Sequence, residues 1–362
     1  MDTSIKTLYK NLILSSLVLF GLVLSACGAT APATPTAAPA PTSTPASEPA
    51  SEPTAVPATQ PLREITLAMP FIPNVQFAYY YMADKMGYYA EEGIKVNFDY
   101  NFETDVVQRV AQGTVQFGMA SGDSVMLARA QGLPVKVVST SSQRFPMVFF
   151  SKAEQNITKP EDLKGKSIGI PGRFGASYIG LLALLYASRI PESDLNIQEI
   201  GFTQVVALSE DKVQVVSGYG NNEPIQLEQK GTKVNVIKVA DFYPLASDGI
   251  IASEQLISSD PALVRAFVRA TLRGMQAVID NPQEGFNTAL QYIPEAQWGD
   301  VELQKKVLEA TIPFWQSDAT KQNGLGFTNS ENWQATYTFL RDTNLLKSEI
   351  DINQAFTNDF IK

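Results

Sequence analysis

Among 362 residues there is no histidine and only one cysteine. Without imidazole there can be no Ser-His-Asp or Cys-His relay, no His-ligated zinc and no ordinary general base near neutral pH. A lone thiol, Cys27, cannot build a disulfide framework or a cysteine-based metal cluster. Basic residues are also scarce: 28 Lys and Arg face 37 Asp and Glu, a formal charge of −9, with an isoelectric point near 4.8. No basic cluster interrupts that balance, which argues against a nucleic acid as partner. An enzyme would have to rely on carboxylates or lysine alone, and no motif supports either. The expectation is a protein without catalysis and without a cofactor.

Long apolar runs are missing too. The single candidate, residues 12–24, is too short for a mature membrane anchor and follows Lys6 and Lys10. It ends in Leu24-Ser25-Ala26-Cys27-Gly28, small residues before a cysteine, which match the lipobox of lipoprotein signal peptides. Residues 1–27 therefore read as a signal peptide with Cys27 as the lipidated residue. Residues 28–62 are Ala, Thr, Pro, Ser and a little Glu, with nothing apolar to bury, and read as a disordered tether. Cleavage before Cys27 removes Asp2, Lys6 and Lys10 and leaves a charge of −10. The expected place is outside the cell membrane, held by lipid only.

Beyond the tether the chain alternates strands and helices. Residues 64–69 read as a strand and 75–86 as a helix stopped by Gly87. From 95 to 102 the pattern alternates, Val96, Phe98, Tyr100 and Phe102 against Lys95, Asn97, Asp99 and Asn101, as in a strand with one buried face. Strands at 115–120, 135–139, 167–170 and 213–218 alternate with helices, the signature of an α/β protein with mainly parallel sheets. After Asp260-Pro261, an acidic cap followed by proline, the chain turns helical. No internal repeat is visible. About 300 residues suffice for two lobes, with crossings expected near 147–153 and 245–253. The boundaries are 63–150 plus 248–362 for the first lobe and 151–247 for the second.

Several stretches resemble a known family. Phe71-Ile72-Pro73-Asn74, then Phe77-Ala78, then residues 85–96 (Lys-Met-Gly-Tyr-Tyr-Ala-Glu-Glu-Gly-Ile-Lys-Val) are similar to the opening of the SsuA/THI5-like, thiamine-pyrimidine-binding family. Asp162-Leu163-Lys164-Gly165-Lys166-Ser167-Ile168-Gly169 and Asn222-Glu223-Pro224 resemble its second-lobe entry and far turn. The resemblance spans about residues 64–330. It implies the type II periplasmic-binding-protein fold, with parallel-rich sheets flanked by helices and further helices at the C-terminus. It also implies a small-molecule ligand and the permease of an ABC importer as partner. Phe71–Ala78 and Gln143-Arg144-Phe145-Pro146 look closest to riboflavin-binding members. Fungal members are enzymes that consume an active-site histidine, which this chain lacks.

Ligands of such sheets sit outside the carboxyl ends of the strands. A flat heterocycle needs aromatic faces and a few polar groups that read its edge. Asn74, Phe77 and Tyr80 open the first helix, with Tyr79 and Tyr81 facing either inward or outward. Ser121 and Asp123 begin a helix, where Asp123 is either a cleft carboxylate or a cap. Arg144 and Phe145 precede the first crossing. The turn 171–178 is glycine-rich and able to cradle an anion, but it lacks the spacing and lysine of a P-loop and reads as contacts to ligand oxygens or the ring; Phe174 and Tyr178 are its stacking candidates. Asn222 and Glu223 supply a polar edge, and Asp248 on the second crossing reaches ligand hydroxyls or ties the hinge. A rival reading makes the ligand a sulfonate or nitrate, with Arg144 and Arg173 as its partners.

Overall fold

The computed structural model describes residues 61–362. The signal segment, Cys27 and the tether up to residue 60 lie outside the described residues. Two five-stranded sheets organise the rest. In the first, β1 (Arg63–Met69) lies parallel between β2 (Ile94–Tyr100) and β3 (Phe117–Ser121). The strand β10 (Asp248–Ser253) then runs antiparallel between β3 and β4 (Val135–Thr140). The second sheet orders β7 (Asn196–Glu199), β6 (Ser167–Ile170), β8 (Val215–Tyr219), β5 (Met147–Lys152) and β9 (Val234–Lys238), with β5 antiparallel to both neighbours.

The sheets are mixed rather than mainly parallel because each accepts a strand arriving from the other. The crossings, expected near 147–153 and 245–253, accordingly lie earlier. Residues 147–152, expected at the lobe boundary, already pair with β8 and β9, and residues 248–252 already pair with β3. In both sheets the order is second, first, third, crossing, fourth. This repeat of topology has no counterpart as a sequence repeat.

The period of two decides which face each residue covers. Ile65, Leu67 and Met69 of β1 join one core, Ala68 the other, and in β10 Ile250 and Ala252 oppose Ile251 in the same way. Each buried Ile, Leu or Met side chain among these contributes about 1.5–3 kcal/mol. The helix Ala78–Lys85 buries every residue from Ala78 to Ala83 and packs on the helices Pro261–Asp280 and Pro282–Tyr292. That approach depends on Gly274, where a Cβ would stand 2.3 Å from the Tyr79 carbonyl oxygen and 2.8 Å from the Ala83 nitrogen. Gly87 does stop this helix, in the left-handed conformation at φ 76°. The expected C-terminal helices appear as Pro261–Asp280, Pro282–Tyr292, Val301–Thr311 and Ser330–Asp342, with a short additional one at Asp318–Asn323. Residues 355–357 add a bridge to Val137 at the edge of the first sheet.

Candidate functional site

The carboxyl ends of the parallel strands face a cleft between the two sheets. Five of these six strand ends contribute: Pro70 and Phe71 after β1, Phe102 and Glu103 after β2, Pro171 and Phe174 after β6, Phe202 and Gln204 after β7, Asn221 to Glu223 after β8. Ser142 and Pro146 come from one crossing, Asp248 from the other, and Thr311, Phe314 and Trp315 from the C-terminal helices. About 1070 Å³ of unfilled space lies within the cleft, open solvent at its mouth included.

Four phenylalanines meet across the mouth. Phe202 lies edge-on to Phe71, with ring centroids 5.3 Å apart, and stacks at 15° on Phe102 at 5.7 Å. Phe174 meets Phe102 edge-on at 6.2 Å. Phe71 and Phe102 follow strands of the first sheet, Phe174 and Phe202 strands of the second, so each contact joins the lobes. Deeper in, the Asn221 amide donates to Gln76 at 2.9 Å and to Thr311 at 2.8 Å, a polar link between the same two halves. Phe77, Tyr79 and Trp315 line the interior, where Tyr79 donates to Ser141 at 3.0 Å.

The charged groups of the wall are all acids. Glu103, Glu223 and Asp248 line the cleft, and no lysine or arginine does so among the described residues. Burial pushes Glu223 up to about 7, although it accepts the Tyr219 N–H at 2.8 Å. Burial likewise raises Asp248 to about 6; its Oδ2 has no partner. Asp123, behind the wall, is raised to about 7 by burial and then by the charge of Glu103, and neither of its oxygens is bonded. Burial, and then Asp248, Glu103, Glu223 and Asp123 together, hold the Tyr219 phenol well above its ordinary range. Among the described residues no three His, Cys, Asp or Glu side chains form a metal site.

Of the twelve site residues expected from sequence, Phe77, Phe174, Asn222, Glu223 and Asp248 line the cleft. Seven stand elsewhere. Asn74 caps the turn that follows it by accepting the Gln76 N–H, leaving Gln76 as the lining residue. Tyr80 is fully buried one position away from Tyr79, whose ring it meets at 4.1 Å. Ser121 donates from its N–H and hydroxyl to Glu103 at 2.7 and 2.6 Å, so it positions a wall residue instead of forming the wall. Asp123 lies behind that pair without capping its helix. Arg144 is exposed and pairs with Asp241, while Phe145 packs into the core against Gly180. Tyr178 bonds to Glu192, and Arg173, also paired with Glu192, lies over its ring at 5.6 Å. Both arginines of the anion reading are thus spent on the surface. The missed residues, Phe71, Phe102, Glu103 and Phe202 above all, share one legible signal: each follows the end of a parallel strand by a few positions.

A riboflavin-binding protein, RibY, of Chloroflexus aurantiacus is 54% identical over 303 residues, 83% of this chain and 86% of its own. A formylaminopyrimidine-binding protein of Halalkalibacterium halodurans is 26% identical, covering 83% of this chain and 91% of that protein. A 4-amino-5-hydroxymethyl-2-methylpyrimidine phosphate synthase of Legionella pneumophila is 24% identical, covering 82% and 92%. Among solved structures, the periplasmic aliphatic sulphonate binding protein SsuA of Escherichia coli superposes with a TM-score of 0.64 at 12% identity, covering 81% of this chain and 96% of that one. The fold is therefore that of periplasmic binding proteins. The model of the family described as NMT1/THI5 like matches residues 74–285, and the chain belongs to that family.

Proposed function

We propose that this protein captures a neutral, flat heterocycle outside the cytoplasmic membrane and delivers it to the permease of an ABC importer. Riboflavin is the first candidate and a thiamine pyrimidine precursor the second. One observation carries the reading: the cleft combines aromatic rings with acidic and amide acceptors, and among the described residues no basic side chain lines it. Rings supply stacking, and acceptors take up N–H and hydroxyl donors at the ring edge. The 54% identity to a riboflavin-binding protein supports riboflavin over the pyrimidine. A sulfonate or nitrate would lack a cationic partner here, because Arg144 and Arg173 are paired with Asp241 and Glu192. The absence of histidine from the sequence supports binding over the chemistry of the synthases in the family.

Calorimetry with riboflavin, the pyrimidine precursor and taurine tests this reading. Riboflavin should bind and taurine should not; preference for taurine would overturn it. Protein purified from its host should be yellow if it carries oxidised flavin. Anchoring through Cys27 belongs to the same proposal, and mass spectrometry of the native N-terminus decides it. An unmodified Cys27, or cleavage elsewhere, refutes the anchor.

A further inference from the structure

Acceptors without donors are the unusual feature of the cleft. Asp248 is 6% exposed and its Oδ2 has no partner; Asn221 is 4% exposed and its Oδ1 has none. Both residues line the cleft. A buried acceptor left unpaired is costly, so these two atoms favour a ligand that brings hydroxyl or N–H donors to them. The nearest positive feature is the start of the helix Gly175–Ser188, where Gly175, Ala176 and Ser177 line the cleft. A carboxylate of the opposite lobe stands beside it: a Cβ on Gly175 would lie 3.5 Å from Glu103 Oε2. Glu103 is itself fixed by the two Ser121 donors. An incoming anion would therefore meet Glu103, Glu223 and Asp248, with no lysine or arginine among the lining residues described to offset them.

We propose that Asp248, Asn221 and Glu103 form a subsite that reads the hydroxyl-bearing side chain of the ligand and rejects its phosphate ester. The inference rests on the riboflavin reading and adds to it: the ribityl chain supplies the donors, and riboflavin 5′-phosphate is excluded. A phosphate monoester carries a charge of about −1.5 to −2 near neutral pH. Like charges brought together in a desolvated site cost about two powers of ten or more in affinity. The protein thus takes up the free vitamin and leaves the phosphorylated cofactor behind.

Flavin fluorescence quenching at pH 8, above the values to which burial lifts Glu223 and Asp248, tests the proposal. The ligands are riboflavin, riboflavin 5′-phosphate and lumiflavin, which has the same ring with a methyl in place of the ribityl chain. Riboflavin should bind at least about 100-fold more tightly than its phosphate and at least about 10-fold more tightly than lumiflavin. Asp248→Asn and Glu103→Gln should each narrow the riboflavin-to-phosphate gap about 10-fold or more. Thermal unfolding beside the binding assay identifies a variant that has lost its fold, and the other variant then carries the comparison. A phosphate that binds within about threefold of riboflavin, or a gap unchanged in both folded variants, overturns the subsite while leaving riboflavin as ligand. If no flavin binds, the functional reading itself fails; the pyrimidine and its phosphate then undergo the same comparison, and equal affinities overturn charge exclusion.

Discussion

Raising the pH from 5 to 8 should destabilise the ligand-free protein. Three carboxyl groups enclosed by the fold hold their protons more tightly than in the unfolded chain. Burial lifts Glu223 from 4.5 to about 7, Asp248 from 3.8 to about 6 and Asp123 from 3.8 to about 7. Between the unfolded and folded values the folded state binds more protons, so stability falls as pH rises through that window and levels off above about 7. At about 1.4 kcal/mol per pH unit, Glu223 alone accounts for about 2–3 kcal/mol between pH 5 and 8. Asp123 and Asp248 act in the same direction. Carboxylates held low by ion pairs or backbone donors, such as Asp260, Asp162 and Glu92, act below about pH 4.5 and leave the window clear. With no histidine in the chain, no imidazole obscures it. Thermal unfolding should show a fall of roughly 5 °C or more from pH 5 to pH 8. Glu223→Gln keeps an acceptor for the Tyr219 N–H and cannot ionise. It should melt near the parent at pH 5 and above it at pH 8. A parent whose midpoint is flat or rises over this range, or a Gln variant less stable than the parent at pH 8, refutes the reasoning.

Phe202→Ala removes two ring contacts that join the lobes and should weaken ligand binding by about 1–3 kcal/mol, chiefly through faster release measured by stopped flow. Arg144→Ala should leave affinity within about twofold of the parent in calorimetry, since it breaks only an exposed pair with Asp241. Gly274→Ala should lower stability by about 1–3 kcal/mol in denaturant unfolding, because the added methyl meets backbone atoms of the first helix that have no room to give.

What the sequence reveals follows from what its periodicities encode. The strand-helix rhythm, the glycine stop at Gly87 and the capped start at Asp260 are local signals, and each is found in the fold. Glu223 was legible because it stands in the turn between a strand and the first residue of the helix that follows, where the carboxyl ends of strands open on the cleft. Tyr79 was not separable from Tyr80 and Tyr81, because the helix Ala78–Lys85 is buried on all sides and a run of three buried tyrosines has no polar face to orient it. Phe102 continued the alternation of β2 on paper. In the fold the strand ends at Tyr100, the Asn101 side chain accepts the Phe102 N–H, and a helix begins at Glu103, which turns the ring to the mouth. Arg144 and Arg173 were anion candidates only while Asp241 and Glu192 had no known position. Charge pairs distant in sequence are invisible to any local reading.

The exchange of strands also sets an order of completion as the chain is made from its N-terminus. All five strands of the second sheet lie between Met147 and Lys238, so that sheet can close as soon as this stretch exists. The first sheet cannot. Its β4 pairs with β10, and its inner core waits for the helix Pro261–Asp280. Until about 280 residues have emerged, Leu67, Phe117 and the three tyrosines have only part of their cover. The first lobe to be synthesised is the last to be finished, and its half-built face is where proteases and chaperones would find this chain.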